Sequence, residues 1–176
     1  MAINEYSVLS NMYYNNSVRK DNMATIRIQD YIIDIVREDV SCTFMDIQYY
    51  YHCILIFKDI TGRELRRLDF NEMQASQLLD NINTFIYDDY AEIYALSNLN
   101  GPTIYESYSI VLKAIEQESG EHYIQFQVLC TNTIYRSITP IITITMSIDD
   151  LDRFIDVMFF IYLIDLASER SGIYKT

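Results

Sequence analysis

The chain has 176 residues, of which half are apolar and 22% charged, and its formal net charge is −12. That length and apolar content suit one domain or two small intertwined halves and exclude intrinsic disorder. The acidity excludes direct binding to DNA, RNA or an anionic membrane, because those interactions run on Lys and Arg.

In chain order, residues 1–22 are mixed, with Ile3, Tyr6, Leu9 and Tyr13 spaced for one face of a short helix,. The start, MAINEYSVLS, lacks the basic and apolar runs of a signal peptide,. A cytoplasmic location is therefore expected (that of a host cell if the protein is viral), with Cys42, Cys53 and Cys130 as free thiols,. Ala24–Val36 reads as a strand whose alternation changes phase near Asp30, a sign of a bend or bulge,. Arg37–Asp39 reads as a charged turn. Thr43–Lys58 is a long half-buried strand with Met45, Ile47, Tyr49, Tyr51, Cys53, Leu55 and Phe57 on one face,. Asp59–Gly62 is a hairpin connection and Arg63–Phe70 the returning strand,.

Asn71–Ile86 then reads as a helix with Asn71 at its N-cap,. Tyr87–Asn100 is expected to be a connection between halves, and Gly101–Pro102 is the clearest break in the chain,. Tyr105–Gln117 and His122–Ile134 are strands joined at Glu118–Glu121. Ser137–Pro140 reads as a turn and Ile141–Met146 as a short strand,. Ser147–Leu166 is the most legible helix. Ser147 can cap it, Asp150 completes an approximate capping box, and Asp149 and Asp152 add charge where the helix dipole favours it,. Ile155 and Met158 belong to its core face, and Ser168–Thr176 is a polar tail.

The two helices align as copies. Setting Asn71 on Ser147 places Ala75 on Leu151, Leu78 on Phe154, Leu79 on Ile155, Asp80 on Asp156 and Ile82 on Met158,. The expected fold is α+β, two β-β-β-α units in tandem with antiparallel sheets and the helices packed against them. The organisation is an N-terminal segment, 1–22, a first half, 23–100, and a second half, 101–176, in one compact domain. From Phe154 to Ile164 the helix is apolar on most sides. That suggests cover from the other half of the chain or from a second copy, hence a possible homodimer,.

No motif names a reaction. There is no CxxC or HxxxH pair for a metal, no GxSxG context for a nucleophile and no phosphate-cradling glycine loop,. Cys130 and His122 share a strand face but stand about 26 Å apart along it. No cofactor and no catalytic residue are assigned, and the chain is read as non-enzymatic. The candidate binding residues are Asp88, Asp89, Tyr90, Glu92 and Tyr94, where Tyr offers contact area and carboxylates recognise Arg and Lys,. Asp149, Asp150 and Asp152, and Glu116, Glu118 and Glu121, can extend that negative face.

The leading expectation is an inhibitor of the phage anti-defence type, anti-CRISPR or anti-restriction, that occupies the basic groove of a nucleic-acid-binding protein. One alternative is an immunity or assembly module that binds a protein without nucleic-acid mimicry; another is an enzyme or small-ligand binder whose site the sequence does not show, which a deep pocket containing His52 or His122 would favour.

Overall fold

A computed structural model describes residues 22–42 and 48–164, apart from the side chains of residues 39–42, 48–50 and 164. The expected N-terminal helix face, Met45, Ile47, the Tyr49 side chain and the C-terminal tail lie outside the described residues. The first half runs β1 (Met23–Ile28), β2 (Tyr31–Cys42), β3 (Gln48–Asp59), β4 (Glu64–Asn71) and α1 (Glu72–Tyr87). The second runs β5 (Glu92–Asn100), β6 (Glu106–Glu116), β7 (His122–Asn132), β8 (Ser137–Met146) and α2 (Ile148–Phe159), and α2 continues as a π-helical turn (Phe160–Ile164). Each half forms a four-stranded antiparallel meander, ordered β1-β2-β3-β4 and β5-β6-β7-β8. The class is α+β, in two tandem strand-then-helix units, each with one strand more than the hydrophobic pattern suggests.

The extra strand of the first half comes from the segment read as one bent strand. Ala24–Val36 is a hairpin that reverses at Gln29–Asp30, where Gln29 takes φ 53°. Asp34 confirms the separation chemically. It is buried in β2, and its carboxylate accepts from Thr25 Oγ1 of β1 at 2.6 Å and meets Lys58 Nζ of β3 at 2.5 Å. A buried carboxylate needs partners of this kind on its flanking strands. The charged turn expected at Arg37–Asp39 is instead the middle of β2. Arg37 is buried there, opposite Cys53, with its guanidinium 4.4 Å from the centroid of the Tyr51 ring. The ring face of Tyr51 is one of the contacts that accommodate its charge there,.

In the second half, β5 occupies most of the segment read as a connection, and Ser137–Pro140 opens β8 rather than making a turn. β8 is an edge strand, where Pro140 can sit without breaking the ladder,.

The helix copies hold position by position. Asn71 and Ser147 each cap their helix, and each cap forms a full capping box, with Gln74 in α1 and with Asp150 in α2. Ala75, Leu78, Leu79 and Ile82 are buried in α1, as are Leu151, Phe154, Ile155 and Met158 at the matching places in α2. The packing is reciprocal. α1 lies on β5 of the second half as well as on β3 and β4, and α2 lies on β1 of the first half as well as on β7 and β8. Both halves thereby contribute to one continuous apolar core.

The same arrangement covers α2. Val157, Met158, Ile161 and Tyr162 are all buried within one chain, while Phe159 stays 42% exposed. Tyr162, in the π-helical turn, donates its hydroxyl to the Ile54 carbonyl at 3.0 Å, and its own carbonyl accepts from the Tyr51 hydroxyl. Those bonds tie the end of α2 to β3. No helix among the described residues is long and apolar enough to cross a membrane.

Candidate functional site

The five binding residues inferred from sequence fall at the α1–β5 junction. Asp88 is the C-cap of α1, and its N–H donates to the Thr84 carbonyl at 2.9 Å. Asp89 follows at φ 51°, a left-handed conformation that Asp tolerates better than most residues and that turns the chain out of a helix,. The Ala91 carbonyl then accepts from Ala114 N–H at 2.8 Å, and β5 pairs with β6 from Glu92 opposite Lys113. Alternation along β5 turns Glu92 and Tyr94 outward and Ala95 inward,. Asp88, Asp89, Tyr90, Glu92 and Tyr94 are all exposed, the two tyrosines by about half of their surface. The three carboxylates make no ion pair among the described residues.

Strand register brings more acid to the same place. Glu92 is opposite Lys113, Glu116 opposite His122, and Ile124 opposite Met146. The start of β5, the end of β6, the start of β7 and the end of β8 therefore stand side by side, a span of about 14 Å at the usual spacing of paired strands. The β6–β7 hairpin closes there through Gln117 N–H to the Glu121 carbonyl at 2.9 Å, with Gly120 at φ 79°, and it displays Glu116, Glu118 and Glu121. α2 begins there too, with Asp149, Asp150 and Asp152 in its first turns. Three acidic segments far apart in sequence thus share one end of the second sheet.

Some of these acids have structural work. Asp150 completes the capping box and meets Arg153 Nη2 at 3.4 Å, while Arg153 also donates to the Arg27 carbonyl at 2.6 Å. Glu121 accepts from the Tyr123 hydroxyl at 2.8 Å. Asp152 has no such support. Partial burial first, and the Asp149 carboxylate second, hold its carboxyl above the usual carboxylate range.

That shift has a sign. A carboxyl raised in the folded state penalises folding once it ionises, so the penalty is absent below its unfolded value and present at neutral pH. Asp152→Asn is expected to raise the thermal midpoint slightly at pH 7, with the gain shrinking as pH falls through the acid range. A midpoint that drops at pH 7 would mean that favourable interaction with the α2 dipole outweighs the crowding.

Cys53 is buried, and Cys130 is half-buried in β7. Burial pushes the Cys53 thiol far up, beyond any range in which it would act as a nucleophile at neutral pH,. Among the described residues no group of three or more His, Cys, Asp or Glu side chains is placed to hold a metal ion.

A further recess is a cleft between β4 and the far end of the second sheet, lined by Arg66, Glu106, Tyr108 and Cys130 among others. Neither His52 nor His122 lines it. Sequence reasoning missed it because its residues come from four strands of both halves, and no local pattern joins them.

No protein-family model matches the chain, and no curated protein matches it.

Proposed function

We propose that this chain is a non-enzymatic acidic binding protein that inhibits a nucleic-acid-binding protein by lying in its basic groove. The anti-restriction and anti-CRISPR proteins of phages are the class to which such an activity belongs, with the host cytoplasm as the place of action. One observation carries the reading: the three acidic segments converge on one end of the second sheet, beside the exposed rings of Tyr90 and Tyr94. Carboxylates spread over a short span, interleaved with rings, suit a surface that holds phosphates with Arg and Lys. Low conformational cost favours Tyr as the contact residue.

Competition tests this. With the partner recovered by pull-down at low salt, its own nucleic acid should be displaced in proportion to the added chain, and the reverse titration should release the chain. If both occupy the partner at once, groove occupation is wrong even though binding is real. The reading then passes to an assembly or immunity module, and the surface for that lies at the opposite end of the second sheet. There Ile104 is 91% exposed and Tyr135 80%, on two loops joined by Thr133 N–H and Oγ1 to the Tyr105 carbonyl at 2.9 and 3.1 Å.

A further inference from the structure

The cleft at that opposite end has a volume of about 250 Å³ and is open to solvent. Its first wall is Arg66 of β4. Arg66 shares a strand face with Leu68 and Phe70, which are core residues, but is itself exposed and lines the cleft together with residues of the second sheet,. Among the described residues only Nη1 is engaged, donating to the Leu65 carbonyl at 2.7 Å. The rest of the fork keeps its donors.

The second wall is Glu106 of β6. Thr103 Oγ1 donates to its Oε1 at 2.9 Å and Cys130 Sγ to its Oε2 at 3.4 Å. These bonds fix the carboxylate and leave each oxygen a free lone pair. Arg66 and Glu106 form no ion pair with each other, although both line the cleft. Opposite charges in one recess usually close on each other. Here each is held by its own neighbours, and a gap lies between them.

We infer that this cleft binds a small zwitterion of the amino-acid class, its carboxylate on the Arg66 fork and its ammonium on Glu106. A guanidinium is suited to two-point recognition of a carboxylate, and a fixed carboxylate to an ammonium donor. Ser137 and Thr139 add hydroxyls at the rim. The volume holds several waters' worth of ligand, and so a small one. Cys130 acts in this cleft as a neutral donor. Burial, then its bond to Glu106, pushes the thiol up, so the cleft is a binding site and not a thiol reaction centre,.

The test is an amide NMR titration of the full chain with glycine, β-alanine and γ-aminobutyrate, which separate the two charges by increasing lengths. Acetate and methylammonium serve as half-ligands. At least one of the three zwitterions should move the amides of Glu106, Asn132 and Ser137 along a saturable curve, and each half-ligand should bind at least about tenfold more weakly. Arg66→Gln and Glu106→Gln should each weaken the zwitterion about tenfold and leave distant amides in place. Arg66→Lys keeps the charge without the fork, and it stands in should the Gln variant disturb the fold. No saturable shift up to concentrations on the order of 100 mM overturns the inference, since that is weaker than any specific site. So does acetate or methylammonium binding as well as the best zwitterion, which would make this a site for one charge alone.

Discussion

Phe126→Ala is expected to destabilise the chain by about 3–5 kcal/mol. Phe126 is fully buried in β7, and its ring joins three elements. Its centroid lies 6.1 Å from that of Phe57 on β3 and 5.6 Å from that of Phe154 on α2, the latter edge-on at 72°. One side chain therefore connects the first sheet, the second sheet and the second helix. Truncating a buried Phe costs about 3–5 kcal/mol through lost transfer energy and the cavity left behind. That range already includes ring contacts such as these two. Domains of this size are stable by only about 5–15 kcal/mol, so the loss takes a large share of the margin. Urea denaturation followed by circular dichroism reads it directly. Phe159→Ala is the control: Phe159 is 42% exposed and its truncation should cost much less,. A Phe126→Ala loss no larger than that of Phe159→Ala would mean that the halves do not share a core.

The helices and the strands that bury one face were legible in sequence because each carries a local signal. Ser147 with Asp150 announces α2, and the alternation through Cys53, Leu55 and Phe57 announces β3. β5 lacks such a signal. Its pairing with β6 shifts between Tyr94 and Leu96 and again between Leu96 and Leu99, and Asn98 takes φ 59°. Buried residues then fall at Ala95, Leu96 and Leu99, a spacing that matches neither a strand nor a helix,. The β1–β2 hairpin hid for a related reason. Its turn puts Gln29 rather than Gly or Asn at positive φ, so Asp30 was the only turn-type residue to mark it and read as a bend,. Ser137 and Pro140 misled in the other direction. The real turn before β8 is built by Asn132, whose Oδ1 accepts from the N–H groups of Ile134 and Tyr135 at 2.9 and 3.1 Å, with Arg136 at φ 51°.

The candidate site divides in the same way. Each acidic segment was visible by composition, but their meeting depends on register, which lines up the ends of four strands so that the start of β5 and the end of β8 fall at one end of the sheet. The cleft between Arg66 and Glu106 depends on how one half packs on the other, and nothing local encodes that.

Reversing Asp88, Asp89 and Glu92 to Lys is expected to leave the fold intact and to disable binding. The structural cost is small because the three side chains are exposed and unpaired among the described residues. Two effects nearly cancel. Lys at 92 would stand opposite Lys113, a like-charge cross-strand pair that costs a fraction of a kcal/mol,. Lys at 88 would sit at the C-terminal end of α1, where a cation suits the helix dipole better than the native carboxylate,. The binding cost is large, because the change inverts the charge of the nearest of the three acidic segments. Association with a basic groove should slow by about tenfold or more at low salt, with a smaller change in dissociation. Raising the salt should shrink the difference between variant and native chain, since screening removes the steering that the native acids supply. A matched control separates site from net charge: Asp89→Lys with Glu92→Lys should slow association far more than Asp30→Lys with Asp69→Lys, two exposed acids of the first half. Equal effects would assign the binding to overall charge. A triple variant that associates as fast as the native chain at every salt concentration would remove this end of the second sheet from the interface.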